Sequence, residues 1–505
     1  MECRHKLGKE IRINNKWVLL SLSAAVFSSI VLIIGHGGRE AYLCVIPLVY
    51  SIVSSIFYHS LSRCKFYKKG ILYYCFNVII YIRYVVTIIG SAIPQEEVIW
   101  KGWGPSASDK AFFIAIGLLS GEIIVVFLVQ YLTIFTFERK LRKEYTSYRV
   151  LRYSSHYERE HVGVLLIFAI LGLPVVLIVS PSLIIPTNFF VISDDTSGAN
   201  LDNTDIPFQG MYVILANAVK VCLFIALLIL CKKKYDRKRS LFYKLIAYLD
   251  IFLYLAFNTS TNRMTMIFIL ILGLYFIHSM FDGISLGVIL GGGAIVLVSF
   301  ISASLFKFKY VLGEHPSFEK MMSMFAPQLQ DYFAGPKLVG QMIDLKTNGM
   351  YTIGFQTFIN DFLGSVPFVS NSIDQSNRIN EIFCLYNNVK NSTLIAPILG
   401  TGYCYFPFFP FVFSVVFTAF VIFFDYRMQT TSKVSYKFVY GRMGFIVALF
   451  LAYSVQTIYA EVVSVYIPMI VLLKFNDYIF FKFNKKHSYK GVRISNSRLI
   501  KLKEK

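Results

Sequence analysis

Ala111-Phe-Phe-Ile-Ala-Ile-Gly-Leu-Leu-Ser-Gly-Glu-Ile-Ile-Val-Val-Phe-Leu-Val-Gln-Tyr-Leu-Thr-Ile-Phe135 carries a single charge, Glu122, in 25 residues. As a helix this run covers roughly 37 Å, more than the roughly 30 Å of a bilayer's hydrocarbon core. It reads as a transmembrane span. Similar apolar runs lie on both sides of it, at 17–35, 41–59, 71–93, 162–181, 211–230, 241–258, 264–281, 284–305, 408–425, 443–461 and 463–481. Together they give twelve spans and an all-α fold class, a polytopic transmembrane helical bundle. Composition agrees: 56% of the 505 residues are hydrophobic and 16% are charged, against about 25% charged in an ordinary soluble chain.

The formal net charge is +21, which on a soluble protein would suggest a nucleic-acid partner. Here Lys and Arg concentrate in Arg4 to Lys16, 61–70, 136–161, 231–240, 426–442 and the C-terminal tail. These segments alternate onto one side of the twelve-span plan. That is the positive-inside pattern; it places both termini in the cytoplasm and assigns the basic residues to topology and lipid headgroups, not nucleic acid. The first apolar run follows a basic stretch without a convincing small-residue cleavage site, so it reads as a retained signal anchor. The eight cysteines form no CxxC or Cys/His cluster, which argues against a metal site. Cys384 and Cys404 both fall on the outer side, either as one disulfide or as free thiols.

The plan divides the chain into a transmembrane bundle (1–305, spans 1–9), a long extracytoplasmic loop (306–407), spans 10–12 (408–481) and a basic cytoplasmic tail (482–505). The loop holds seven acids and seven Lys/Arg, so it does not share the basic bias. Phe318, Met321, Met322 and Phe325 recur at helical spacing after Ser317, a plausible N-cap. Amphipathic helices at the membrane surface, or a lid packed on the bundle, account equally for this pattern. No internal repeat is visible, whereas an inverted-repeat transporter would be expected to show two similar halves.

Charges inside spans are costly, at least ~2.5–3.5 kcal/mol each in hydrocarbon. Arg83 and Glu122 fall near the middles of adjacent antiparallel spans, so they form either a structural ion pair or part of an aqueous cavity in which Arg83 meets an anion. Lys220, Lys244 and Asp250 either snorkel or line the same cavity. Arg263 sits in the polar turn Asn258-Thr-Ser-Thr-Asn-Arg-Met264, as a phosphate ligand or an interfacial anchor. Arg378 lies in Asp374-Gln-Ser-Asn-Arg-Ile-Asn-Glu381, upstream of the aromatic run Tyr403 to Phe413. Sugar hydroxyls need hydrogen bonds and sugar rings stack on aromatics, so this stretch suits a glycan. His315, Asp361 and Glu381 are the candidates for a general base, each alternatively an ordinary loop residue. Motifs for nucleotide hydrolysis, zinc proteolysis and serine hydrolysis are absent.

Arg263 in its Ser/Thr/Asn-rich turn, Asp331-Tyr-Phe-Ala-Gly-Pro336, and Asn391-Ser-Thr393 leading to Gly400-Thr-Gly402 accompany this plan. The layout resembles the bacterial oligosaccharide repeat-unit polymerases, the Wzy-type polymerases of O-antigen and capsular polysaccharide. The resemblance covers most of the chain and rests on short motifs. In some members an Arg precedes a Gly at fixed long spacing in two outer loops. Here Arg263 precedes Gly273 and Arg378 precedes Gly400, at different spacings. The resemblance implies a metal-independent, cofactor-free glycosyltransferase of the bacterial plasma membrane. Its substrates would be undecaprenyl-diphosphate-linked oligosaccharides, and its partners a chain-length-regulating co-polymerase and a flippase. On that reading Arg83, Arg263 and Arg378 handle diphosphate, and Tyr332, Asn391 and Tyr403 contact sugar. A lipid-linked oligosaccharide flippase and an O-antigen ligase are the alternatives.

Overall fold

The computed structural model describes residues 19–62, 69–93, 105–147, 160–184, 209–257, 263–281, 329–349, 351–366, 373–388 and 394–482, with single positions Cys64, Tyr67, Ser317 and Val369 between them. Every regular element among them is helical. In chain order they are α1 (Leu19–Ile34), α2 (Arg39–Leu61), α3 (Ile71–Ala92), α4 (Asp109–Ser147), α5 (Gly163–Val179), α6 (Gln209–Lys238), α7 (Leu241–Ala256) and α8 (Arg263–Met280). Four shorter helices follow: α9 (Pro336–Thr347), α10 (Phe355–Leu363), α11 (Ile379–Tyr386) and α12 (Ile398–Tyr405). The chain then continues through α13 (Val412–Thr430), α14 (Val434–Leu451) and α15 (Val455–Lys482).

Seven of these, α2, α3, α4, α6, α13, α14 and α15, are long and apolar enough to cross a membrane. Leu19–Ile34, Gly163–Val179 and Ile269–Met280 are apolar but shorter. The expected span 284–305, the start of the long loop and both termini lie outside the described residues. Ile33, Leu171, Ile178 and Phe252 point outward and are more than half exposed, an arrangement that suits lipid as the surrounding solvent.

The last two spans begin earlier than hydropathy places them. The break falls at 431–433, not at 442, and the next at Ala452–Ser454, where Ser454 accepts a hydrogen bond from the Thr457 amide and caps α15. The segment 426–442 is therefore mostly helix, despite its Arg427, Lys433, Lys437 and Arg442. Sequence averaging mistakes it for a loop because its charges lower the mean hydropathy while its other side chains pack inward. Val434, Phe438, Val439, Tyr440 and Met443 are all buried.

The centre is α4, which packs against α2 and α13, while α13 and α14 form an antiparallel hairpin across α3. A second row runs α5, α6, α7, α8 and returns to α14. Helix α9 lies against the start of α4 and against α12, with both its faces buried. It is packed on the bundle, the second of the two arrangements that the loop's pattern allows. Gly400 makes the approach to α12 possible, since a Cβ there would sit 2.6 Å from Met342 Cβ, while Gly402 makes room for the Pro410 carbonyl oxygen, 2.0 Å from where its Cβ would be. Cys384 and Cys404 are free thiols, donating to the Leu394 and Met342 carbonyls respectively.

Several helices begin without a side-chain cap of their own and take one from far along the chain. Asp425 accepts from the Gly70 and Tyr73 amides at the start of α3, and from Tyr67 and Gln429. Glu160 accepts from the Val434 and Ser435 amides at the start of α14. Helix α4 differs in having its own cap, Ser108 Oγ accepting from the Ala111 amide, and Asp344 of α9 in turn binds the Ser108 amide and hydroxyl. Asp361 of α10 accepts from the Ile379 amide opening α11. A carboxylate at a helix start satisfies orphan amides and meets the positive end of the dipole, typically for about 1 kcal/mol.

Candidate functional site

Asp361 is the hub of the region between the end of α12 and the start of α15. Helix α10 is strongly amphipathic, with Thr357, Asn360 and Asp361 inward and Phe355 outward. The Asp361 carboxylate accepts from Tyr405 Oη at 2.6 Å, from the Ile379 amide at 3.0 Å and from Gln456 Nε2. One side chain thus ties α10, α11, α12 and α15 together. Burial pushes its carboxyl above the usual range, against the pull of Tyr405, Gln456, the Ile379 amide and the nearby Arg378. Burial and the Asp361 charge likewise raise the Tyr405 phenol.

Arg378 is the N-cap residue of α11 and half-buried. Its Nη1 donates to Gln375 Oε1 at 2.9 Å, and its Nε has no partner among the described residues. The guanidinium lies against Gly364, where an added Cβ would be 3.0 Å from both Cζ and Nε. Glycine is needed there to let α10 end against the arginine. Glu381 occupies the first turn of α11 and is half-buried. Phe358 packs edge-on against Tyr405 and Phe406, and Phe355, Phe408 and Phe409 are exposed around them. The geometry therefore brings together Asp361, Arg378 and Glu381 of the residues expected from sequence.

The other expected residues stand apart from this cluster or cannot be placed. Tyr403 is half-buried against the bundle core, and Tyr332 is partly exposed ahead of α9. Arg263 is the first residue of α8, and its side chain is outside the described set. His315 and Asn391 lie outside the described residues.

Arg83 and Glu122 meet, as their depths in adjacent helices suggest. Arg83 Nη2 is 2.8 Å from Glu122 Oε2, and Arg83 Nη1 donates to the Leu451 carbonyl at 2.8 Å. Tyr84 and Ser414 hydroxyls also donate to the Glu122 carboxylate, at 2.8 and 2.5 Å. Both side chains are essentially inaccessible, at 1% and 0% exposure, so the guanidinium presents no open face to a ligand.

A second internal pair escaped the sequence reading. Arg442, taken for part of a cytoplasmic segment, lies inside α14 with Nη2 3.3 Å from Glu461 of α15. Its Nη1 donates to the Tyr254 hydroxyl of α7. A polar run at Thr430-Thr-Ser-Lys433 and the capping pair Ser454/Thr457 frame α14, and counting from them would have put Arg442 in mid-helix. Both internal pairs adjoin a π-helical turn: Arg83 lies within Ile82–Val86, and Glu461 immediately precedes Val462–Tyr466. Such turns re-aim side chains and are frequent at functional sites. Lys220 donates to the Leu183 carbonyl, Lys244 lies over the Tyr235 ring, and Asp250 is buried with Oδ2 unpartnered among the described residues. No family model matches the chain, and searches of curated proteins and of solved structures return no significant match.

Proposed function

We propose that this protein is a membrane glycosyltransferase that polymerises undecaprenyl-diphosphate-linked oligosaccharide repeat units at the outer face of a bacterial plasma membrane. The growing glycan moves from its lipid onto a new lipid-linked unit. Arg378 is the observation that supports this reading: a half-buried guanidinium with an unused Nε, fixed next to a rigid carboxylate hub and an aromatic rim. Departure of a diphosphate needs positive charge fixed where negative charge develops, and a guanidinium fork fits phosphate oxygens. Glu381, in the turn after Arg378 and half-buried, is the base in this reading. Asp361, already accepting from three donors, acts as a positioning residue.

Deleting the gene in its bacterium and sizing the surface polysaccharide tests the proposal. Glycan carrying single repeat units is the expected result, and unchanged chain length overturns it. Loss of all units points instead to a flippase or ligase. The flippase reading draws support from the charged Arg442–Glu461 pair inside the bundle, because transporter sites commonly lie near mid-membrane. Arg378→Ala, expressed normally, is expected to lower polymer formation by about 10²-fold or more. Full activity would remove Arg378 from the site.

A further inference from the structure

Helix α10 is amphipathic in the reverse sense to a helix in water. A surface helix in water turns its polar side outward and its apolar side to the core. In α10 the polar side is buried, as Thr357, Asn360 and Asp361. The Thr357 hydroxyl donates to Asn377 Oδ1 at 3.0 Å, and the Asp361 carboxylate has its three donors. Phe355, Ile359 and Phe362 stand four and three residues apart, so they share one stripe. That stripe looks outward: Phe355 is 76% exposed, Phe362 47%, and Ile359 is half-buried.

The neighbours of α10 fix its level along the bundle. The Phe362 ring meets Tyr459, in the first turns of α15, edge-on at 5.2 Å. Phe355 stacks on Phe358, Phe358 meets Phe406, and Phe406 meets Phe413 in the first turn of α13. Both α13 and α15 are long and apolar enough to cross a membrane. The turn Phe406-Pro-Phe-Phe409 joins this chain of rings, with Phe408 wholly exposed and Phe409 about half exposed. No charged residue occurs between Lys390 and Asp425. An aromatic surface therefore runs unbroken from α10 onto the start of a span. Its exposed rings are all phenylalanine, which brings no polar handle for water or for a sugar hydroxyl.

We propose that α10 and the turn 406–409 are immersed in the bilayer leaflet at the end of the bundle where α13 and α15 begin. The partner of the Phe355–Ile359–Phe362 stripe is the acyl chains of membrane lipid. A helix of this kind lies in the interface plane with its apolar face about 5–10 Å into the headgroup and acyl boundary. Immersion keeps the opposite face, with Asp361, toward the hydrated side, and fixes the Asp361 hub at the membrane surface. The inference rests on the bundle's crossing a membrane and goes beyond the polymerase reading, on which it does not depend.

The test uses the full chain in nanodiscs, with Trp17, Trp100 and Trp103 replaced by Phe and single tryptophans placed by Phe355→Trp, Phe362→Trp or Phe408→Trp. Phe420→Trp, at an outward position of α13, is the lipid-facing reference. Phosphatidylcholine brominated in the upper part of its acyl chains quenches tryptophans in the leaflet, and aqueous iodide quenches those in water. Phe355→Trp and Phe408→Trp are each expected to lose most of their emission to the brominated lipid and little to iodide, and to emit at shorter wavelength than tryptophan in water. Strong quenching by iodide without quenching by lipid overturns the proposal, since α10 then faces water. Protection from both quenchers also overturns it, because protein then covers the stripe. Each change swaps one exposed ring for another, and an unchanged thermal transition shows that the variant is folded. Difference spectra against the chain with its native tryptophans give the same reading without the triple replacement.

Discussion

Arg83–Glu122 and Arg442–Glu461 are both arginine–glutamate pairs inside the bundle, both beside a π turn, and they differ in how fully the carboxylate is enclosed and hydrogen-bonded. Glu122 accepts from Arg83, Tyr84 and Ser414, while Arg83 also reaches the Leu451 carbonyl. Four helices, α3, α4, α13 and α14, close around that pair. Arg442 has a phenol and one long contact to a partly exposed carboxylate, and each arginine keeps an Nε without a partner among the described residues. A buried ion pair holds when extra hydrogen bonds make up for lost hydration. The first pair meets that condition and reads as a bolt. The second rests on fewer bonds and on a more open carboxylate.

The largest effect should come from breaking the bolt. Glu122→Ala strands a buried guanidinium and is expected to cost about 3–5 kcal/mol, read as lost thermal stability and lost membrane expression. Ser414→Ala removes a single donor to a charged acceptor and should cost about 1.5–3 kcal/mol in the same unfolding assay. Glu461→Ala, at the more open pair, is expected to cost less, about 1–2 kcal/mol. A cost equal to that of Glu122→Ala would erase the contrast between the two sites. The smallest effect should belong to Arg83→Met with Glu122→Leu, since replacing both charges by apolar groups is often close to neutral. If that double variant is inactive though stable, Arg83 has a chemical role that its burial conceals.

Hydropathy made the helices legible, and the spacing of Arg83 and Glu122 made their encounter legible, because depth in adjacent antiparallel helices is a one-dimensional quantity. Arg442 was not legible in the same way. Its basic neighbours Lys433 and Lys437 resemble a loop in composition, and only the short breaks at 431–433 and 452–454 show the true register. In the candidate site, Asp361, Arg378 and Glu381 were visible as residue types in a polar stretch. Gln456 was not, because it reaches Asp361 from another helix and carries no motif, and Tyr405 was visible only as one ring of the aromatic run.

The long-range carboxylate caps also set an order of events during synthesis. Asp425 follows Gly70 by 355 residues, so at roughly 5–20 residues per second the start of α3 waits roughly 20–70 s for its cap. Until α13 arrives, those amides must borrow water or lipid headgroups. The carboxyl-terminal third therefore works as a clasp that is fastened late. A nascent chain stalled before residue 425 lacks the carboxylate that closes the start of α3.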